Sequence, residues 1–189
     1  ALTGDKAALA AAVRESLAHA HSASQLHQLA DFAARAGDTD LERRILERLT
    51  AAGGGGPDTR RRLGILAYQR RDVGEAEKDL SAYVSETGGD YESQMILGDI
   101  ATKRRDLADA RRHYAESLRL LQAAGDSSFR ARTVAATLYH RLGQDAEADR
   151  LYQALLTSRP NDRNLRADYV SMLMEQGEFA RAREVLGKL

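Results

Sequence analysis

The sequence predicts an all-α chain built from repeated pairs of helices. A shift of 34 residues aligns Ala76 with Ala110, and the same shift aligns Ala148 with Ala182. Within each repeat, apolar residues recur three and four positions apart, which is the spacing of one helix face. No segment shows the sustained alternation of period two that a half-buried strand requires. Repetition and periodicity together therefore favour helix pairs over a sheet.

The repeats can be placed along the whole chain. The step from Ala110 to Ala148 is 38 residues, so four residues are inserted, and they fall in the loop-like segment 123–128. Near the start, Gly4-Asp5 followed by Leu9 predicts a turn and then the second helix of a repeat whose first helix is missing. The expected segments are residues 1–22 for this truncated repeat, then 23–56, 57–90, 91–128, 129–162 and 163–189 for repeats one to five.

Each repeat is expected to contain a first helix, a short polar turn such as Arg105-Asp106, and a second helix. Pro57 is expected to open the second repeat, and Pro160 to close the fourth, because a ring without an N–H is tolerated at helix ends. The run Gly53–Gly56 lacks a Gly-Lys-Ser/Thr ending and follows no strand. We therefore expect a flexible turn between repeats there, and not a phosphate-binding loop.

Composition excludes several classes of protein. The chain has 28 basic and 28 acidic residues, and this neutrality argues against a general nucleic-acid binder. It has no Cys, so disulfides, cysteine zinc sites and thiol nucleophiles are excluded. No apolar run approaches the roughly 18 residues that span a bilayer, so no membrane span is expected in this segment.

The repeated positions resemble the signature of the tetratricopeptide repeat family. That family combines a Leu-Gly pair and a Tyr in the first helix with an Ala and an aromatic residue in the second helix and a closing Pro. The matching residues are Leu63, Gly64, Leu97, Gly98, Tyr139, Ala76, Ala110, Ala148, Ala182, Tyr114, Tyr152 and Pro160. The sequence departs from the signature because it has no Trp and because Glu42 stands where the first repeat should have Ala.

This resemblance implies a right-handed α-solenoid of helix-turn-helix repeats that acts as a protein-interaction scaffold. Small residues at the signature positions would let neighbouring helices approach, and stability would come from burial between adjacent repeats. The expected repeat-packing residues are Gly64, Ala76, Gly98, Ala110, Ala148, Tyr152 and Ala182.

The resemblance also implies where a partner would bind, because first helices line the concave groove of such arrays. The expected partner-binding residues are His27, Asp31, Arg35, Arg61, Tyr68, Gln69, Met95, Asp99, Lys103, Arg130, Thr137, His140, Arg141 and Met174. Among them, Tyr68, Met95, His140 and Met174 are expected to be exposed and adaptable contacts. The alternative interpretation is that half of these side chains simply face water.

The charges in this groove favour one kind of peptide over another. Family members that hold chaperone tails use Lys and Asn, but Asp31, Ile65 and Asp99 occupy the places where Asn is wanted. Carboxylates there would repel the terminal carboxylate of a peptide. A mixed-charge peptide or a folded partner surface suits the groove better.

Neither catalysis nor a cofactor is expected. His19 and His21 would point about 200° apart on one helix, so they cannot share a metal ion from one face. No residues are spaced as a catalytic constellation. The sequence therefore favours a non-enzymatic protein with no metal and no cofactor.

The biological setting is inferred from the general form of the repeat array. The repeats are similar to the periplasmic part of bacterial exopolysaccharide exporters such as the C component of cellulose synthase, which implies a periplasmic export scaffold. One alternative is a stand-alone adaptor of a pilus, secretion or lipopolysaccharide-assembly machine, in the periplasm or the cytoplasm. Direct polysaccharide binding in the groove is a further alternative. Self-association through uncapped ends is also expected, because Leu186 belongs to a last repeat with no polar helix after it.

Overall fold

The structure, a computed structural model, describes residues 2–187, with side chains from Asp5 onward; Ala1, Lys188 and Leu189 lie outside the described residues. Within residues 2–187 there are eleven helices and no strand, so the all-α prediction is confirmed. The helices are α1 (Leu2–Ala18), α2 (Ala23–Ala36), α3 (Thr39–Ala51), α4 (Pro57–Gln69), α5 (Val73–Thr87), α6 (Tyr91–Lys103), α7 (Leu107–Ala123), α8 (Phe129–Arg141), α9 (Asp145–Ser158), α10 (Arg163–Glu175) and α11 (Phe179–Leu186).

The chain divides into two compact units, which meet in sequence between Gly89 and Asp90. Unit 1 contains α1 to α5, and its core is built mainly from α1, α2 and α3. Ile45, Leu46 and Leu49 of α3 are completely buried in that core. A Cβ atom on Gly64 of α4 would lie 2.6 Å from Cγ of Leu80 in α5, so only glycine permits this approach of the two helices.

Unit 2 contains α6 to α11 and repeats the same hairpin packing. Gly98 of α6 faces the ring of Tyr114 in α7, where an added Cβ would lie 2.6 Å from the ring. Tyr152 of α9 stacks on Tyr169 of α10 with 5.3 Å between ring centroids. The signature alanines of the second helices in the two units are all buried, namely Ala76, Ala110, Ala148 and Ala182.

The turn inside each helix pair has one recurring geometry. The residue after the C-cap of the first helix, or the C-cap itself, has a positive φ, as at Gly143 with 75° and Gly177 with 77°. In two turns a non-glycine residue holds this position, with φ of 65° at Arg71 and 64° at Arg105. The following residue caps the second helix, and the Asp106 carboxylate accepts a hydrogen bond from the backbone N–H of Asp109 at 3.0 Å.

One local prediction needs correction. The turn expected at Gly4-Asp5 is wrong, because both residues lie within α1, which begins at Leu2. The Gly53–Gly56 run lies, as expected, in the connection between α3 and α4. Gly54 donates its N–H to the carbonyl of Leu49, and an added Cβ on Gly54 would lie 2.5 Å from the Leu49 side chain. This close packing makes the end of α3 a defined turn.

Candidate functional site

A cleft of about 290 Å³ lies between α8 and α10 of unit 2. We call it the α8–α10 cleft, and its lining residues are Thr137, His140, Arg141, Tyr152, Asp168, Ser171, Met172 and Glu175. Three of the expected partner-binding residues, Thr137, His140 and Arg141, come together here. They share the cleft because three- and four-residue spacing places them on one face of α8.

His140 is held between two carboxylates, and this arrangement differs from the exposed contact that the sequence predicts. Its side chain is only 16% exposed. Its Nδ1 lies 2.9 Å from Oδ1 of Asp145, and its Nε2 lies 3.1 Å from Oε2 of Glu175. The ring therefore links the end of α8 to the start of α9 and to the last turn of α10. Its orientation is fixed by its own neighbours, so it forms part of the cleft wall.

The floor of the cleft is a buried tyrosine. The hydroxyl of Tyr152 lies 3.2 Å from Oγ1 of Thr137, and Tyr152 is 2% exposed. Burial raises the pKa of Tyr152, while the Thr137 bond lowers it and the charge of Asp168 raises it further. The hydroxyl is thus kept neutral, and it is available to hydrogen bonds rather than to proton transfer at ordinary pH.

Charges of both signs border the cleft. Arg141 is an exposed cation at the end of α8, and Glu175 is an exposed carboxylate at the end of α10. Partial burial raises the pKa of Asp168, and the neighbouring charge of Asp162 adds to this shift. Because partial burial and the charge of Asp162 both disfavour the ionised carboxylate, a positive ligand group beside Asp168 would stabilise it.

The other expected residues of unit 2 have varied surroundings. Met95 packs against the core cluster of α7 and α8, so its expected exposure is wrong. Asp99 accepts a hydrogen bond of 2.7 Å from the Tyr114 hydroxyl, which ties α6 to α7. Nη2 of Arg130 lies 3.3 Å from Oε1 of Glu92, so the two side chains form an ion pair. Lys103 and Met174 are exposed.

In unit 1, one of the expected partner-binding residues, Asp31, forms an ion pair within the unit. Asp31 accepts a hydrogen bond of 2.7 Å from Nη1 of Arg62. The guanidinium of Arg35 lies 5.6 Å from the ring centroid of the exposed Phe32, within the range of a cation–π contact. Tyr68 is half-buried, so its expected exposure is wrong as well. His27 and Arg61 are also half-buried, and Gln69 is exposed.

Sequence reasoning missed Asp168 and Phe32. Asp168 lies three residues before Ser171, and that helical spacing could have placed it on the cleft face. Phe32 lies on α2 between Asp31 and Ala33, and nothing in its spacing signals that it is 41% exposed.

Residues 2–187 contain neither a metal-binding cluster nor a membrane-spanning helix. No group of three or more His, Asp or Glu side chains in this part of the chain could hold a metal ion. None of its helices combines the length and apolar character that crossing a bilayer requires.

Comparison with known proteins identifies the fold. No model of a known protein family and no curated protein matches the sequence. A crystal structure of a tetratricopeptide repeat protein from Parabacteroides merdae is similar, with a TM-score of 0.63 and 19% identity over 97% of this chain and 70% of that chain. The structure of MamA of MSR-1 is similar with a TM-score of 0.59 and 17% identity, over 88% of this chain and 93% of that chain. The structure of MamA of AMB-1 is similar with a TM-score of 0.57 and 18% identity, over 86% of this chain and 94% of that chain. The chain therefore has the fold of tetratricopeptide repeat proteins, which confirms the expected α-solenoid class.

Proposed function

We propose that the protein is a non-catalytic interaction scaffold that binds a segment of a protein partner in the α8–α10 cleft. The observation that carries this proposal is the convergence of Thr137, His140 and Arg141 from α8 with Ser171 and Glu175 from α10 on one open cleft. The tetratricopeptide fold supports it in a general way, because helix-pair solenoids offer extended binding surfaces.

The chemistry of the cleft specifies the partner segment. Arg141 favours an acidic side chain, whereas Asp168 and Glu175 on the facing helix favour a basic one. Met174 of α10 is exposed but does not line the cleft. The partner segment is therefore of mixed charge, with an acidic group toward α8 and a basic group toward α10.

Direct binding of polysaccharide is less well supported. Sugar sites commonly use an exposed aromatic ring as a platform. Tyr152 is the one aromatic residue that lines the α8–α10 cleft, and it is buried. A protein segment is the better candidate ligand.

Site-specific photocrosslinking in the source cells tests the proposal. A photoreactive amino acid at Ser171 inside the cleft is compared with the same group at Arg150, which is exposed on α9 and does not line the cleft. We expect a discrete protein adduct from position 171 that is absent from position 150. Adducts of equal yield from both positions, or none from position 171, would contradict binding in this cleft.

We place this scaffold in a bacterial exopolysaccharide export apparatus of the periplasm. The support is the resemblance in array style, together with a chain without Cys, which is compatible with an oxidising compartment. The alternative is a stand-alone adaptor of a pilus, secretion or lipopolysaccharide-assembly machine. An antibody applied to fractionated source cells separates these proposals. A band much larger than the 189-residue chain in the outer-membrane fraction supports export, and a band of its own size in the soluble fraction supports the adaptor.

A further inference from the structure

A second cleft, of about 470 Å³, lies between α9, α10 and α11 of unit 2. We call it the α9–α11 cleft. Arg166 of α10 is part of its wall, together with Leu156 of α9 and Val185 of α11. Arg166 and Glu175 are nine residues apart on α10, which is about 180° around a helix. The α9–α11 cleft is therefore separate from the α8–α10 cleft and lies on the opposite side of α10.

Arg166 is a buried cation with unused hydrogen-bonding capacity. The residue is only 6% exposed. Its Nη2 donates to the backbone carbonyl of Pro160, whereas its buried Nη1 has no acceptor among the described residues. Burying a charge is costly unless the charge is paired and hydrogen-bonded, and a single carbonyl provides neither a counter-charge nor enough acceptors.

The ion pair that Arg181 of the cleft wall forms does not supply the missing counter-charge. Arg181 donates to Asp149 at 2.5 Å and to the Tyr169 hydroxyl at 2.8 Å. The Tyr169 hydroxyl also donates to the same oxygen of Asp149, at 2.5 Å. Gln153 donates from Nε2 to the other oxygen of Asp149 at 2.9 Å, so the Asp149 carboxylate is committed to these three partners. Within residues 5–187, Nη1 of Arg166 donates to no carboxylate, including that of Glu184 in the same cleft wall.

We propose that the α9–α11 cleft binds a carboxylate side chain from an acidic segment of a protein partner, with Arg166 as the recognising cation. A carboxylate carries one negative charge, which would serve as the missing counter-charge of Arg166. Its two oxygens can accept hydrogen bonds from the guanidinium N–H groups that have no acceptor. Leu156 and Val185 in the wall would contact the methylene groups of a Glu side chain. This inference extends the scaffold function to a second surface but does not depend on binding in the α8–α10 cleft.

The test is a titration of the full chain, labelled with ¹⁵N in its arginine side chains and followed by NMR. The probe is the peptide acetyl-Gly-Glu-Gly-Glu-Gly-amide, and its counterpart with Gln in place of Glu is the neutral control. We expect the Arg166 side-chain signals to shift saturably with the Glu peptide and to stay in place with the Gln peptide. Equal shifts with both peptides, or no shift of Arg166, would overturn the proposal. So would a stronger response to inorganic phosphate at the same concentration.

A matched pair of variants tests the residue itself. We expect Arg166→Gln to weaken binding of the Glu peptide by about tenfold or more, since a charge-assisted hydrogen bond is lost. Arg163→Gln changes the same charge at an exposed position of α10 and should leave the affinity within about twofold. Equal weakening by both substitutions would mean that overall charge, and not this cleft, attracts the peptide. Because the wild-type spectra report on Arg166 directly, the test stands even if Arg166→Gln does not fold. Its failure would leave the photocrosslink at Ser171 unaffected, so the two proposals are tested separately.

Discussion

At the scale of single residues, the pair Glu42 and Arg62 shows how a departure from a repeat signature is accommodated. Glu42 occupies the second-helix position where the later repeats have a buried alanine, and it is only 8% exposed. Arg62 of α4 donates to Oε1 of Glu42 from Nε at 3.0 Å and from Nη2 at 2.8 Å, and it also binds Asp31. Burial lowers the pKa of Arg62, but the hydrogen bonds and charges of Glu42 and Asp31 outweigh it and raise that pKa. The Arg62 side chain thus compensates a carboxylate that would otherwise be buried alone.

Removing one partner of this pair should cost much more than removing both. We expect Arg62→Met to lower the free energy of unfolding by about 3 kcal/mol, because Glu42 then keeps a buried, unpaired charge. In Glu42→Ala/Arg62→Met the signature alanine is restored, and we expect the loss to fall below about 1 kcal/mol. Urea unfolding of Arg62→Met, Glu42→Ala and the double variant measures these changes in the free energy of unfolding. Additive losses in the double variant would show that the two side chains act independently.

At the scale of helix pairs, the turns between first and second helices all require a left-handed residue, but glycine is not always present. Arg71 and Arg105 adopt φ of 65° and 64°, where Gly37, Gly143 and Gly177 stand in the other turns. In each case the next N–H returns to the last turn of the first helix, as when Asp72 donates to the carbonyl of Ala67 at 2.9 Å. The hydrogen bonds are the same, so the arginine turns differ from the glycine turns mainly in backbone strain.

Glycine should therefore stabilise the two arginine turns. We expect Arg71→Gly and Arg105→Gly each to raise the free energy of unfolding by about 0.5–1 kcal/mol, since an L-residue with a side chain is strained in this conformation. The matched control is Gly143→Ala, which introduces the same strain where it is now absent and should cost about 1 kcal/mol. Chemical denaturation of the three variants measures these changes. A loss of stability in both Arg→Gly variants would indicate that the arginine side chains make stabilising contacts that exceed the strain.

At the scale of the whole molecule, buried tyrosines make the folded state sensitive to alkali. Burial raises the pKa of Tyr114, Tyr152 and Tyr169, and the hydrogen bonds that Tyr114 and Tyr169 donate to Asp99 and Asp149 raise their pKa values further. Above the ordinary tyrosine pKa of about 10, the unfolded chain loses these protons while the folded chain keeps them. The folded state then binds more protons, so stability must fall as pH rises.

We expect the free energy of unfolding to decline above about pH 10, by up to roughly 1.4 kcal/mol per pH unit for each of these tyrosines. Tyr152→Phe should reduce this slope, because one group that titrates only in the unfolded chain is gone. Denaturant unfolding at a series of pH values measures how steeply the free energy of unfolding falls with pH. For the wild type and for Tyr152→Phe, each value is compared with that of the same protein at neutral pH. An unchanged slope in Tyr152→Phe would mean that Tyr152 ionises equally in both states.

The sequence predicts the folding pattern better than it predicts the depth of individual side chains. Periodicity and the repeat identify an all-α chain, because the burial of one helix face leaves a direct mark on spacing. The same spacing places Thr137 and Arg141 on one face of α8. It does not reveal that Met95 is half-buried against the core or that Asp99 binds Tyr114, because those outcomes depend on distances to other helices.

The turn expected at Gly4-Asp5 is wrong for a related reason. Glycine within a helix costs only about 1 kcal/mol relative to alanine, and the neighbouring residues of α1 can override that preference. The acceptor shortage at Arg166 could not be predicted either. Arginine is common on exposed helix faces, and only three-dimensional packing shows that this one is buried.

The most direct test of the central claim is the affinity of the crosslinked partner for two charge-reversal variants. Arg141→Glu alters the α8–α10 cleft, whereas Arg150→Glu makes the same change in charge at an exposed position of α9 outside it. With the partner identified by the Ser171 adduct, isothermal titration calorimetry gives both dissociation constants, and thermal unfolding checks that the melting temperatures match. We expect Arg141→Glu to weaken binding by about tenfold or more and Arg150→Glu to leave it unchanged. Equal affinity of the two variants and the wild type would contradict the assignment of the α8–α10 cleft as the partner-binding site.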